Sequence, residues 1–350
     1  MRSSRSFSKR VALAALALAI GSGAAAAGRA PTANKAAGDP HLIRVWGYTG
    51  LSGQLLRWEA EYGKLHPEVR FENQLHAPAA VMAGLYNGVA DVALMGREIW
   101  PVDTMAYRWV YQQVPFGVIV ATAGLQAPGQ MFTPVVVVNA KNPIAAITVS
   151  QLDAIYGCEH RAAPANIRTW GDLGVKGEWA DQPIHPYGFG GEDALGVYFR
   201  QTVLRMDFKP NPESHLLSDR DGGKGTAAER IAEAVAADPY GIGYTRAPHG
   251  WGTKVLPVGA PEPVEPSADA LSTHEYPLTR SVWVYFRRVP DEAIDPKVDA
   301  FVRFLLSARA QAAIEPADEL IPLTRALMEK QVQKLDNPMP KAAEAEENPR

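Results

Sequence analysis

The hydrophobic pattern changes its period repeatedly along the chain, and each change predicts the end of one element and the start of another. Residues 41–48 have the pattern of a strand, and residues 51–67 then carry apolar and aromatic side chains at helical spacing before a proline. Repeated alternation of this kind predicts a parallel α/β sheet. Further strands are predicted at 68–75, 89–96, 134–140, 182–189 and 280–288. Further helices are predicted at 78–88, 148–157, 193–204, 296–314 and after about residue 325, and residues 225–245 are predicted as a helix, a turn and a strand.

Local signals indicate where several elements lie or end. Ser150 or Thr148 is expected to cap one helix at its start, and Gly157 is expected to end that helix. The four consecutive valines at 135–138 are typical of a central, buried strand. The proline-rich stretch 258–270 is expected to be a surface connection.

Residues 1–27 have the pattern of a cleavable secretory signal peptide. A basic start is followed by the short apolar run VALAALALAI and by small residues up to Ala27. The run is too short to span a bilayer, although an uncleaved signal anchor is the alternative. Residues 28–41 are expected to be a flexible leader, and residues 326–350 a charged extension that is helical at first and disordered at its end. We therefore expect a soluble mature protein, exported to the periplasm.

Charge and composition argue against several classes of protein. The net charge of −3 provides no basic field for nucleic acid. Cys158 is the single cysteine, which excludes an internal disulfide. It is expected to be a small buried or semi-buried side chain, and a reactive thiol is the alternative. The eight histidines lack metal-ligand spacing, and no motif supplies a nucleophile with its base. We expect no metal, no cofactor and no enzymatic activity.

Two turns at strand ends carry the candidate chemistry. Residues 187–193, YGFGGED, run from a strand through a glycine-rich turn to a helix start, where backbone N–H groups attract anions. The helix opens with Glu192 and Asp193, which are also typical capping residues, so an anion site and a simple cap both remain open. Arg97 and Glu98 follow the buried strand VALM, and they either face a ligand or pair with each other.

The order and spacing of these segments resemble the phosphate-binding-protein-like family of periplasmic solute-binding proteins. The resembling stretches include GVADVALMGREI, RTWGDLG, DPYGIGY and YPLTRSVWVYF, and together they span about residues 42–325. The resemblance implies a type II periplasmic binding protein fold of the α/β class. In that fold two lobes, each a mixed sheet flanked by helices, enclose a ligand cleft. The implied lobe 1 is 42–135 plus 246–325, and lobe 2 is 136–245.

The resemblance also implies that three loops bind the ligand. The first loop carries Tyr48, Thr49 and Ser52. The second loop carries Gly96, Arg97 and Glu98. The third loop carries Phe189, Gly190, Gly191, Glu192 and Asp193. Phosphate-binding members have an Arg and a Ser-Gly-Thr run in the third loop, whereas this loop lacks the guanidinium and the hydroxyls and has two carboxylates. A carboxylate beside a phosphate dianion is repulsive.

The implied function is that of the solute-binding component of an ABC transporter of the phosphate type. The expected partners are phosphate or another small solute and a membrane permease, and the protein is expected to be a monomer. The altered third loop leaves two possibilities for the ligand. Either a neutral or cationic solute binds to Glu98, Glu192 and Asp193, or phosphate binds in a rearranged geometry. A scaffold or signalling protein of the envelope that has lost the phosphate site is the alternative.

Overall fold

The structure, a computed structural model, describes residues 39–163, 165–207, 209–247, 252–315 and 319–337. The predicted signal peptide, most of the predicted leader and the last residues of the C-terminal extension lie outside these ranges. Helices and strands are numbered below in chain order.

Six strands form the first sheet. They are β1 (Leu42–Tyr48), β2 (Arg70–His76), β3 (Val92–Met95), β4 (Phe116–Ala123), β10 (Arg280–Phe286) and β11 (Leu320–Ile321). Their order across the sheet is β11-β4-β10-β3-β1-β2. Strand β1 is parallel to β2 and β3, whereas β10 is antiparallel to β3 and β4. The purely parallel sheet predicted from the alternation of elements is therefore wrong, because a strand from late in the chain enters between two early ones.

Five strands form the second sheet. They are β5 (Val135–Asn139), β6 (His185–Phe189), β7 (His215–Leu217), β8 (Gly241–Thr245) and β9 (Thr253–Leu256). Their order is β7-β6-β8-β5-β9. All five residues of β5 are buried, as its run of valines predicts. Two mixed sheets with flanking helices confirm the α/β fold class.

The helices pack on these sheets. Those in the described ranges are α1 (Ser52–Gly63), α2 (Ala83–Tyr86), α3 (Pro101–Tyr111), α4 (Val149–Tyr156), α5 (Ala194–Thr202), α6 (Ala227–Ala237), α7 (Ala268–Ser272), α8 (Pro296–Leu305), α9 (Ala308–Ala312) and α10 (Arg325–Asp336). Thr148 caps α4, because its hydroxyl accepts a hydrogen bond from the N–H of Gln151. The single helix predicted at 296–314 is two helices, since Ser307 caps α9 and starts it separately.

The chain crosses from one sheet to the other twice within the described residues. It leaves β4 for β5 through residues 124–134, here called the first crossing segment, and it returns to β10 after β9. The expected return at residue 246 is too early, because β9 pairs antiparallel with β5 and so belongs to the second sheet.

Arg246, directly after β8, binds the first crossing segment to the second sheet. Its guanidinium donates to the carbonyl oxygens of Gln126, Ala127 and Gly129 at 2.9, 3.1 and 2.7 Å. The same group lies over the ring of Phe132, 4.3 Å from its centroid. Burial lowers the pKa of Arg246 from its usual value, but the group stays cationic at neutral pH.

Two further findings concern membrane and metal. No helix in the described ranges has both the length and the apolar character that crossing a membrane requires. Across those same ranges, no three or more His, Cys, Asp and Glu side chains group in a way that could hold a metal ion.

Cys158 differs from its predicted environment. The prediction of a buried thiol is wrong, since Cys158 is exposed and free. It lies in the loop after α4, where the buried Asp207 carboxylate accepts the N–H groups of Cys158 and Glu159 at 2.9 and 2.7 Å. Asp207 therefore fixes the backbone at this position, and the Cys158 side chain does not pack in the core.

Glu59 of α1 is a carboxyl group in a largely buried position against β2. One of its oxygens accepts a hydrogen bond from Asn73 Nδ2 at 2.9 Å. Its other oxygen and Asn73 Oδ1 are buried without a hydrogen-bond partner. Buried acceptors that lack donors favour a protonated carboxyl group. Burial raises the pKa of Glu59, and the hydrogen bond from Asn73 lowers it by a smaller amount. The resulting pKa is about 7.

We predict that Glu59 makes the folded protein less stable as the pH rises from about 4.5 to about 7. In that range the folded state holds the proton and the unfolded chain, with an ordinary glutamate pKa, has released it. Glu59→Gln should remove this part of the pH dependence, because glutamine keeps a hydrogen-bonding group at the site and cannot ionise. Urea unfolding of both proteins at pH 5 and pH 8 tests this. Equal changes of the free energy of unfolding in the two proteins would contradict it.

Candidate functional site

Three strand ends come together around the first crossing segment. Strands β1 and β3 are parallel neighbours, so their carboxyl ends lie at the same edge of the first sheet. The end of β6 belongs to the second sheet. It reaches the same region because Gln130 of the first crossing segment donates to Asp193, which lies directly before α5.

Tyr48 occupies the centre of this region. A Cβ atom added to Gly96 would lie 3.0 Å from its ring, and one added to Gly129 would lie 2.4 Å from its hydroxyl oxygen. Gly129 also has a φ of 60°, so glycine is required there for two reasons. Burial raises the pKa of the Tyr48 hydroxyl, and the positive charge of Arg280 partly opposes this shift. The predicted residues Tyr48 and Gly96 are therefore in contact.

The other two predicted residues of the first loop serve the local backbone. Thr49 is exposed, and its hydroxyl donates to the carbonyl oxygen of His76 at 3.0 Å. Ser52 begins α1 and is half-buried. The Thr49 hydroxyl is thus directed towards the end of β2 and is occupied there.

Arg97 is in a different environment from the predicted one. Its side chain is 1% exposed and pairs with Asp103, which is 5% exposed, at 2.7 Å. It also donates to the carbonyl oxygen of Pro78 at 3.1 Å and lies over the ring of Trp100, 3.8 Å from its centroid. The predicted side-chain pair with Glu98 is wrong, because Arg97 binds only the backbone carbonyl oxygen of that residue. Arg97 is thus a buried structural cation at the start of α3.

Arg280 is the cation at the strand ends, and the sequence reasoning missed it. Its fully buried guanidinium pairs with Glu98 at 2.9 Å and also donates to the carbonyl oxygen of Gln130. It lies over the ring of Tyr198 of α5, 4.9 Å from the centroid. One side chain therefore contacts the first sheet, the first crossing segment and a helix of the second sheet. The sequence feature that could have identified Arg280 is its position in the segment YPLTRSVWVYF, one of the stretches that resemble the family.

The glycine-rich third loop is largely occupied by its own contacts. Phe189 is 2% exposed and packs in the core, and its N–H donates to the Tyr244 hydroxyl. The N–H of Gly190 donates to the carbonyl oxygen of Leu217 at 2.9 Å, because β6 pairs with β7 at this point. Gly191 is exposed, and its carbonyl oxygen accepts from Arg200. The Gly190 N–H is therefore committed to the sheet and does not form part of an anion cradle.

The two acids of the third loop separate from each other. Glu192 is exposed and pairs with Arg220 at 2.8 Å, so it points to the surface. Asp193 is only 7% exposed and stands at the N-cap position of α5. Its Oδ1 accepts from Gln130 Nε2 at 3.2 Å, whereas its Oδ2 is buried without a partner. Asp193 therefore belongs to the candidate site, and Glu192 does not reach it.

The candidate site is accordingly a smaller and different set from the predicted one. It comprises Tyr48, Gly96, Glu98 and Asp193 from the prediction, together with Gly129, Gln130 and Arg280. Arg97, Phe189, Glu192 and the Thr49 hydroxyl are engaged elsewhere. The arrangement combines one buried guanidinium, one half-buried hydroxyl, two carboxylates and the start of a helix.

Comparison with known proteins places this chain in a family. The family model described as the PBP superfamily domain matches residues 133–309, and the chain belongs to this superfamily. The chain is also 28% identical to the phosphate-binding protein PstS of two strains of Pseudomonas aeruginosa, over 338 residues that cover 93% of this chain and 98% of the relative. The resemblance noted from the sequence is thereby confirmed.

Two solved structures show the same fold. An ABC-type phosphate transport receptor from Vibrio cholerae is 19% identical with a TM-score of 0.53, and the match covers 80% of this chain and 99% of the receptor. PstS from Borrelia burgdorferi is 16% identical with a TM-score of 0.55, and the match covers 81% of this chain and 99% of that protein. These likenesses confirm the two-sheet α/β fold of such receptors.

We predict that Arg97→Ala destabilises the protein by about 3–5 kcal/mol, because it leaves the buried Asp103 carboxylate without its cation. Urea unfolding measures the loss. Arg325→Ala is the matched control, since Arg325 is exposed and pairs only along the surface of α10, and it should change stability little. A folded Arg97→Ala protein of unchanged stability that had lost solute binding would instead make Arg97 a ligand of the solute.

Proposed function

We propose that this protein is the solute-binding component of an ABC transporter of the phosphate type, and that it binds phosphate between its two sheets. The observation that carries the proposal is the similarity to PstS, which extends over 93% of this chain and nearly all of the relative. In this proposal residues 1–27 direct export and are removed, and the mature protein acts in the periplasm as a monomer that delivers its solute to a membrane permease.

The candidate site offers three kinds of group to an oxyanion. Arg280 supplies a permanent positive charge. Its bonds to Glu98 and Gln130 use three of its five N–H groups, which leaves two for charge-assisted hydrogen bonds to an oxyanion. Tyr48 supplies a hydroxyl, and the first turn of α5 supplies backbone N–H groups at the positive end of the helix dipole. These groups support phosphate binding in a geometry that does not use the missing Arg and Ser-Gly-Thr run.

The carboxylates restrict the form of phosphate that fits. Asp193 Oδ2 is buried and lacks a donor, so it favours a ligand that presents a hydrogen-bond donor to it. Phosphate that retains a proton can donate to this oxygen, whereas sulfate is fully ionised at neutral pH and cannot. The site is therefore expected to discriminate between these two tetrahedral anions.

Contacts between the two halves support a cleft that closes on its solute. Gln201 of α5 donates to the carbonyl oxygen of Ile99 at 2.9 Å. The hydroxyl of Tyr198 donates to the backbone carbonyl oxygen of Thr279 at 3.3 Å. A cavity of about 580 Å³ lies beside the first of these bonds, between α3 and the end of α5. In this proposal a hinge motion opens the cleft by breaking these two bonds.

A second candidate function rests on the third loop. Its groups are satisfied by Leu217, Arg200 and Arg220, and it lacks the cation and hydroxyls that phosphate-binding relatives use. A protein of the same fold that no longer binds phosphate, and that acts as an envelope scaffold or signalling protein, would fit this observation. Binding measurements separate the two functions.

We predict that phosphate binds to the purified mature protein and that Arg280→Gln weakens binding at least tenfold. One lost charge-assisted hydrogen bond contributes about 1.5–3 kcal/mol, and 1.4 kcal/mol corresponds to a factor of ten. Isothermal titration calorimetry with phosphate, and with sulfate for comparison, measures the affinities. Arg288→Gln is the matched control, because Arg288 is also a buried arginine but its partners are the carbonyl oxygens of Lys334 and Asn337.

The outcomes separate the alternatives. Phosphate binding that Arg280→Gln weakens and Arg288→Gln does not weaken supports the proposed function and site. No heat with phosphate, together with binding of another small solute, would change the ligand and retain the class of protein. No binding of any small solute, together with recovery of a protein partner, would favour the scaffold.

A further inference from the structure

Gln130 of the first crossing segment places its side chain at the start of α5. Its Nε2 donates to Asp193 Oδ1 at 3.2 Å and to Asp219 Oδ2 at 2.9 Å. Its Oε1 accepts the N–H of Leu195 at 3.4 Å. A single carboxamide from the first crossing segment thus makes three contacts with the second half of the protein, all around the beginning of one helix.

At the start of α5, a hydrogen bond that a capping residue usually makes is made by Gln130 instead. An aspartate at the N-cap ordinarily accepts the N–H of the second or third helical residue through its own side chain. Asp193 has the extended backbone of an N-cap, but its side chain makes no such bond. Leu195 is the second residue of α5, and its N–H is bound to Gln130 instead. The carboxamide therefore lies between the helix and its own capping residue.

The position of Gln130 Oε1 is where an oxyanion would bind. Backbone N–H groups in the first turn of a helix, with the dipole behind them, attract negatively charged oxygen. An amide oxygen is a neutral acceptor, and bonds to a charged oxygen are about twice as strong. A phosphate oxygen can therefore replace the amide oxygen, but only by breaking the contacts that hold Gln130 in place.

We propose that the Gln130 carboxamide is an internal occupant of the oxyanion position at the start of α5, which the solute displaces when it binds. This inference rests on the proposed function, and it makes Gln130 a residue that determines affinity. An internal occupant competes with the solute, so the observed affinity is lower than the intrinsic affinity of the site.

Two features explain why glutamine suits this role. Its amide donates to both Asp193 and Asp219, two carboxylates that would otherwise repel each other across a short distance. Its backbone carbonyl oxygen accepts from the guanidinium of Arg280. Displacement of the Gln130 side chain therefore occurs beside the cation of the site, and the two groups respond together.

The proposal predicts that Gln130→Ala binds phosphate about three- to tenfold more tightly than the wild-type protein. This range corresponds to the loss of one typical competing hydrogen bond. Gln126→Ala is the matched control: Gln126 lies in the same crossing segment, and its side chain donates to the carbonyl oxygen of Ala247 at 2.8 Å. Calorimetry with phosphate measures all three affinities, and Gln126→Ala should match the wild type.

A second measurement follows the side chain directly. The side-chain NH₂ signals of Gln130 in ¹⁵N–¹H NMR spectra, assigned by their absence from Gln130→Ala, should move towards the positions of free glutamine when phosphate is added. A purely structural role would leave these signals in place. The phosphate titration itself is made on the wild-type protein, and the variant serves only for the assignment.

Each outcome decides between the proposals. Tighter binding by Gln130→Ala, or binding by this variant alone, supports the internal occupant. If the wild type binds phosphate while Gln130→Ala binds equally or more weakly and the NH₂ signals do not move, the occupant is overturned and the proposed function stands. If neither protein binds phosphate, the internal occupant is overturned and phosphate is not the solute; binding of another small solute then decides whether the class of protein stands.

Discussion

The buried ion pair between Arg280 and Glu98 is the interaction on which the geometry of the candidate site depends. A guanidinium removed from water is costly unless it is paired and its donors are satisfied. Here the donors are divided between the Glu98 carboxylate and the Gln130 carbonyl oxygen, and the face of the group covers the Tyr198 ring. Because the cation requires all of these partners, it fixes the end of β3, the first crossing segment and α5 relative to one another.

Much of the fold could be predicted from local sequence signals, and the parts that could not be predicted depend on distant contacts. The valines of β5 and the capping threonine of α4, Thr148, are read directly from the chain. Helix α3 was not predicted, because Val102, Met105 and Trp109 are apolar side chains that remain exposed and obscure the pattern of an amphipathic helix. Strand β9 was assigned to the wrong half, since its pairing with β5 is invisible in its own residues.

The candidate site was less predictable than the fold for a physical reason. Residue type indicates which chemistry is available, but the direction of a side chain is determined by what packs around it. Arg97 and Arg280 are both cations at strand ends, and only the first was predicted as a site residue, yet Asp103 binds Arg97 in the core and Glu98 holds Arg280 at the site. Gln130 carried no signal at all, because a glutamine in a connecting segment is ordinarily an exposed polar residue.

The contacts of Arg246 determine where the molecule can bend. By donating to the carbonyl oxygens of Gln126, Ala127 and Gly129, Arg246 ties residues 126–129 to the end of β8 in the second sheet. A bend within residues 126–129 is thereby opposed, and Gly124 is held as well, because its N–H donates to the carbonyl oxygen of Glu319 and its carbonyl oxygen accepts from the N–H of Thr133. Gln130 follows directly on this tied stretch, so the bond from Arg280 to its carbonyl oxygen connects the first sheet to the part of the crossing segment that Arg246 holds.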